Sequence, residues 1–358
     1  MTIRTLCSAI CNVLISLQTE RHYVQTRPQR RGKQDGGEHL LLSFGKGENM
    51  DRDPIQSYRN CYAFPQLGDG YEFGLFRFSG TGLSNLLFTW ARCLVMARRY
   101  GLKRISPTWP QFSHVRWVRR EPDKRTYHDL FYTAPDEVSG IDRLRLLATK
   151  RWVPESQLGR KIPEGSIIVF RKHEGFLAPS VPYQELVCPE LLQIVRPEHK
   201  RAIDAGFSPD VAIHVRLGDF INADPSRGNT RIDLSWYVGI LNRLRENLGS
   251  LQVSLFSDGT DEELAELLSL DGVRRITFGS SIADIIGLSR ARIFIASGST
   301  FSMWASYLGQ MPTVWFPKRL HHPILRDSRR EIMTLLDLPQ EFIEQCAESL
   351  ERRSEVAP

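Results

Sequence analysis

The run His214-Val215-Arg216-Leu217-Gly218-Asp219-Phe220 brings an imidazole, a guanidinium and a carboxylate into one short stretch. VAIHVR, beginning at Val211, reads as a short buried strand. Side chains alternate along a strand, so His214 and Arg216 point to the same side. The strand breaks at Gly218. A guanidinium there offers a fork of donors suited to a diphosphate. A cation so fixed can stabilise a departing nucleotide diphosphate without a metal. The plainer alternative is a salt bridge from Arg216 to Asp219 that closes the strand end. Asp219, with Asp224 as a second candidate, could also take the proton of an attacking hydroxyl. Equally, Asp219 could only orient Arg216 or the acceptor.

Three further places carry chemistry of a matching kind. Phe256-Ser257-Asp258-Gly259 follows the strand-like QVSL. A carboxylate at that point suits a base edge with two N–H donors, such as guanine, or a ribose. It could also be the N-cap of the following DEELAELL. Ser297-Gly298-Ser299-Thr300-Phe301-Ser302 joins an apolar strand to a helix. Hydroxyls, backbone N–H groups and a helix dipole then aim at one spot, which is either an anion site or an ordinary cap. Gly80-Thr81-Gly82-Leu83-Ser84-Asn85 is a glycine turn at which a phosphate or sugar can approach the backbone. Neither G-x-G-x-x-G nor G-x-x-x-x-G-K-[ST] occurs.

The elements needed to hold these residues are legible in outline. YEFGLFRF reads as a strand, the glycine turn follows, and LLFTWARCLVMARRYG reads as an amphipathic helix ending near Gly101. From Val211 onward strands and helices alternate in short regular units, which implies a parallel sheet covered on both faces. Ligands of such sheets bind at the carboxyl ends of the strands, where the four places just described fall. The spacing predicts a poorly ordered basic tail over 1–70, an N-terminal Rossmann-like domain over 71–205, a more regular C-terminal domain that binds a nucleotide diphosphate over 206–327 and a helical tail over 328–358. The fold class expected is α/β, with two Rossmann-like domains facing a cleft and the C-terminal one the more regular.

Three segments resemble the α-1,2-fucosyltransferase family, in matching order and approximate spacing over roughly 73–317. H-V-R-L-G-D-F is similar to its H-x-R-R-G-D-Y, S-G-S-T-F-S-M-W-A-S-Y-L-G to its S-N-S-T-F-S-W-W-A-x-x-L, and G-T-G-L-S-N-L-L-F to its G-x-L-G-N-Q-x-F. The resemblance implies a GT-B-like fold, GDP-fucose as donor, and inverting, metal-independent transfer to a sugar hydroxyl. It implies that Arg216 binds the diphosphate and that His214 and Asp258 face the guanine. Ser299, Thr300 and Phe301 would hold the phosphates and the nearby nucleotide, with Gly82 and Asn85 approaching from the other domain. Leu217 stands where the family has a second Arg, which removes one cation. Ser84, Leu86 and Gly298 stand where it has Gly, Gln and Asn.

Composition sets the outer limits. The chain has 358 residues, 47 Lys+Arg against 41 Asp+Glu (net +6), 41% hydrophobic and 25% charged residues, the profile of a soluble globular protein of about two domains. Collagen-like, disulfide-scaffold and wholly disordered classes are excluded. Cys7, Cys11, Cys61, Cys93, Cys188 and Cys346 are scattered without C-x-x-C, so no zinc site is expected and a reducing compartment fits. The apolar stretch Leu6–Leu17 is shorter than a membrane span and is read as a short helix or an over-long start rather than a signal. The basic run Arg27–Lys33 reads as a solvated tail.

A second His-Val-Arg at His114–Arg116 lacks the following Gly-Asp and is read as coincidence. Trp109 and Trp117 could form an acceptor- or membrane-facing surface, or an ordinary partly buried loop. The expected partners are a GDP-sugar and a glycan acceptor, with no cofactor, no metal and no nucleic acid. The expected location is cytoplasmic, with peripheral contact at the inner face of a membrane as an option. The competing reading is a non-catalytic or degenerate basic protein that binds polyanions or acidic lipid. A transferase using another nucleotide sugar or linkage also stays open.

Overall fold

A computed structural model describes residues 58, 60–68, 72, 74–78, 80–112, 125–218 and 230–351. Asp219, Asp224, His114, Arg116, Trp117 and the N-terminal segments with Cys7 and Cys11 lie outside the described residues.

The N-terminal unit runs β1 (Tyr62–Pro65), β2 (Arg77–Phe78), α1 (Leu83–Tyr100), β3 (Lys103–Arg104), β4 (Gln111–Phe112), α2 (Gly140–Thr149), β5 (Trp152–Pro154), β6 (Ile167–Phe170) and α3 (Gln184–Ile194). The C-terminal unit runs α4 (Arg201–Asp204), β7 (Val211–Val215), α5 (Leu234–Leu248), β8 (Val253–Ser257), α6 (Ala265–Leu268), β9 (Val273–Arg275), α7 (Ser281–Ser289), β10 (Ile293–Ala296), α8 (Thr300–Gly309), β11 (Thr313–Trp315), β12 (Glu331–Met333) and α9 (Gln340–Glu351).

Both large sheets are parallel. The first has the order β3-β1-β6-β5 and the second β12-β11-β10-β7-β8-β9. In the second, the chain winds from β7 outward through β8 to β9, then returns to the other side of β7 with β10. The switch point is therefore between β7 and β10, and a parallel sheet offers its ligand crevice there, beyond the carboxyl ends of the strands. β7 ends on His214 and Val215 with Arg216 following, and β10 ends on Ala296 with Ser297 following. Strands β7, β10 and β11 are buried throughout, as their largely apolar sequences require in a sheet covered on both faces.

Helix α1 stops where Gly101 takes a left-handed φ of 64°, with Arg98 and Arg99 in the last turn facing its negative end. The two units share one apolar interior. Phe88 of α1 stacks on Trp304 of α8 at 5.6 Å, the Trp304 indole donates to Ser84 O at 2.9 Å, and the Tyr307 hydroxyl donates to Ser180 O at 2.7 Å. Their relative placement is thus fixed by buried contacts directly beneath the space between them.

The order along the chain departs from the sequence expectation at both ends. β1 is the strand YAFP, inside the span 1–70 expected to be poorly ordered. It is short and fully apolar with no alternation, so periodicity does not reveal it, yet it pairs with both β3 and β6. The expected helical tail from residue 328 supplies β12, an edge strand, before its helix α9. Among its described residues, YEFGLFRF, expected as a full strand, contributes only the two residues of β2. Its Gly74 turns the chain at φ +78°. Trp109 is core, packed on Phe131 at 4.2 Å, and forms no acceptor surface.

Candidate active site

A cleft of about 910 Å³ opens between the two units at the β7–β10 switch point. Gly82 and Asn85 reach it from the N-terminal unit, and His214, Arg216, Asp258, Ser299, Thr300 and Phe301 from the C-terminal one. All the expected site residues within the described segments therefore meet in one cavity. Two helices end on it by their N-termini, α1 through Gly82–Asn85 and α8 through Ser299–Phe301. Each brings the positive end of a helix dipole, so their combined field favours a bound anion.

Asp258 lines the cleft and is tied to the turn after β7. Its Oδ1 accepts from Leu217 N at 2.8 Å and its Oδ2 from Gly218 N at 3.1 Å. The same Oδ2 lies 2.8 Å from the Arg216 guanidinium. Asp258 thus clamps the turn after β7 and aims Arg216. Gly218 permits the clamp, because a Cβ there would fall 2.4 Å from Asp258 Oδ2. Leu217 points away from the cleft into the apolar interior and is only 3% exposed. The residue that looked like a lost cation is a core side chain.

His214 is buried among hydroxyls. Its Nδ1 lies 2.8 Å from Ser302 Oγ and 3.0 Å from Ser297 Oγ, and its ring stacks on Phe301 at 4.9 Å. Ser299 caps α8 by accepting from Ser302 N, and Ser297 Oγ donates to Ser299 Oγ at 3.0 Å. Burial, with the nearby Arg216 charge adding to it, pushes the His214 imidazole down to about 3. It is therefore neutral at working pH and serves as a rigid wall rather than a phosphate cation.

That shift has a consequence for stability. The folded pKa is depressed below the ordinary 6.5, so below about pH 6.5 the unfolded chain binds a proton that folded His214 refuses. The stabilisation is complete above that pH and declines as pH falls toward about 3, with a slope of up to about 1.4 kcal/mol per pH unit. Between pH 7 and ~5 the urea midpoint of His214→Gln should fall less than that of the wild type. Parallel declines would contradict the buried, neutral imidazole.

Several lining residues were not found from sequence. Lys318, Arg319 and His321 follow β11, one strand beyond the switch point. Arg319 donates to Thr230 O at 2.9 Å, and its stem packs where a Cβ on Gly298 would sit. Their signal was present, because a basic cluster directly after the strand TVW sits at a carboxyl end. Arg125 donates to Gly80 O at 2.7 Å and lies over Gly82, and no pattern around it foretells that. Tyr127 accepts from Leu83 N at 3.0 Å at the start of α1. Asp284, in the first turn of α7, accepts from Phe278 N at 2.6 Å and from the Thr277 hydroxyl at 3.2 Å. Among the described residues, no group of three or more His, Cys, Asp or Glu side chains is arranged to hold a metal ion. No helix among them is long and apolar enough to cross a membrane.

Two parallel α/β units closing on an anion-directed cleft give a GT-B-like arrangement. The sequence profile of glycosyl transferase family 11 matches residues 194–322, the segment that supplies His214, Arg216, Asp258 and the start of α8. Among solved structures, the chain is similar to NodZ α-1,6-fucosyltransferase soaked with GDP-fucose, at 16% identity and a TM-score of 0.46, over 73% of this chain and 97% of that one. It is also similar to an Arabidopsis thaliana FUT1 variant in complex with GDP, at 12% identity and a TM-score of 0.42, over 75% and 74%. The E. coli ADP-heptose LPS heptosyltransferase II gives 12% identity and a TM-score of 0.39, over 82% and 99%. A search of curated protein sequences finds no match.

Proposed function

We propose that the chain is an inverting glycosyltransferase that moves L-fucose from GDP-fucose to a sugar hydroxyl, a galactoside 2-OH, of a surface glycan or its precursor. The observation that carries this reading is the meeting of Arg216 with the N-termini of α1 and α8 in one cleft at the switch point. The donor and linkage follow the resemblance of the three motifs, supported by the family 11 profile over 194–322.

Bound GDP-fucose would place its diphosphate against Arg216, Ser299, Thr300 and the N–H groups of α8. As the C1–O bond to phosphate breaks, negative charge grows on the leaving oxygen. The guanidinium and the helix N-termini then hold that charge more strongly than they held the ground state. The acceptor oxygen attacks C1 from the opposite face and inverts it. Its proton passes to a carboxylate, for which Asp219, next in the chain after Gly218, is the expected base. Asp258 positions Arg216. Asp258 and Asp284, both fixed carboxylates on the wall of the cleft, face the guanine edge. His214 and Phe301 form the rigid wall beside the nucleotide.

Positive charge from side chains and helix ends is sufficient for this chemistry, so release of fucose from GDP-fucose should continue in excess EDTA. Loss of turnover on chelation, restored by a divalent cation, would overturn the metal-independent part of the reading.

A further inference from the structure

The turn after β11 brings further positive charge to the donor cleft. Its ring holds Pro317 at a φ of about −65°, and Lys318 takes a left-handed φ of 64°. Arg319 N donates back to Phe316 O at 3.2 Å. Together these make Phe316–Arg319 a type II turn, whose third position favours glycine or asparagine. A lysine there carries backbone strain that a glycine would relieve. The side chain is thus kept at a cost in stability, and strain of this kind concentrates at ligand sites.

The turn is anchored over the start of α8. β11 pairs with β10, so the turn lies beside the strand end that delivers Ser297 to Thr300. The stem of Arg319 lies on Gly298, where a Cβ would fall 2.6 Å from Arg319 Cβ and 2.9 Å from its Cγ. Gly298 directly precedes Ser299, the N-cap of α8. At its other end, Arg319 Nη2 donates to Thr230 O at 2.9 Å. Lys318 and Arg319 both line the cleft, as do Gly298, Ser299 and Thr300.

The charge balance of the cleft leaves a place for another cation. Arg216 lies 2.8 Å from Asp258 Oδ2, so its charge is largely offset at the range of a bound ligand. Arg275, also on the wall, is paired with Asp261. Lys318 is exposed and makes no salt bridge with any described residue. Its ammonium offers three rotatable donors, which suit phosphate oxygens.

We infer that Lys318 is a second cation for the donor diphosphate, held beside the N-terminus of α8 by the packing of Arg319 on Gly298. It meets the phosphate charge that the Arg216–Asp258 pair leaves unbalanced. This rests on the nucleotide-diphosphate reading of the cleft and adds a binding residue outside the three motif segments.

Isothermal titration of the full-length protein with GDP, GMP and guanosine tests it. Lys318→Met should weaken GDP binding about tenfold or more, GMP binding less, and guanosine binding not at all. Lys318→Arg should keep most of the GDP affinity. Lys318→Gly removes the ammonium and relieves the backbone. It should therefore lose GDP affinity as the methionine variant does, yet melt no lower than the wild type. Unchanged GDP affinity in both Lys318→Met and Lys318→Gly overturns the inference. So does an equal loss for GDP and guanosine, which would place the side chain at the nucleoside. A wild type that binds none of the three would instead overturn the diphosphate reading of the cleft, and the inference with it.

Discussion

Arg216→Ala is expected to lower kcat/KM for GDP-fucose by about 10²–10³. The estimate follows from the position of the guanidinium. It stands one residue past the end of β7, beside the N-terminus of α8, and Asp258 fixes it at 2.8 Å. A donor so preorganised stabilises leaving-group charge without reorganising as the bond breaks, and it is worth most where the site is partly closed to water. Both KM and kcat should change, because the diphosphate is charged before transfer and more so during it. Arg216→Lys should recover only part of the loss, since an ammonium restores the charge but not the planar fork. Folding should survive, because Asp258 keeps its bonds to the amides of Leu217 and Gly218. Steady-state kinetics together with a melting curve check this. Wild-type turnover in a folded Arg216→Ala protein would remove the residue from the leaving-group site.

Leu217→Arg would restore the second arginine of the motif, and it is expected to damage the protein. Leu217 packs with Val215, Leu255 and Leu264 in the interior on one face of the C-terminal sheet. Its Cδ1 occupies the space next to Gly259, where even a Cβ would come within 2.5 Å. A guanidinium introduced there is an unpaired buried charge, costing about 3–5 kcal/mol of stability. The urea midpoint should drop accordingly, with no tightening of GDP binding. A variant of wild-type stability that binds GDP more tightly would show that this side chain reaches the cleft.

Leu217 also shows how far the sequence could be read. The three motifs identify which strand ends matter, because strand–helix alternation and the switch-point rule place them without coordinates. Arg216, Ser299 and Gly82 accordingly meet where they were expected. Which way each side chain turns past a strand end depends on the turn itself. Asp258 Oδ1 and Oδ2 bind two successive amides, which aligns Arg216 with the cleft and sends Leu217 inward. No periodicity encodes that. The same limit hid β1, whose four residues are too few for a pattern and whose partners are distant in sequence. It also hid Arg125, brought to Gly80 and Gly82 by a long-range approach.

The central claim is that the cleft is built for a guanosine diphosphate. Thermal unfolding of the wild type with GDP, UDP, ADP and CMP at equal concentrations tests it most directly, because a ligand that binds only the folded state raises its stability in proportion to RT ln(1 + [L]/Kd). GDP alone should give a large upward shift, about 2.7 kcal/mol at a hundredfold excess over its Kd. Stabilisation by UDP without GDP would contradict the account.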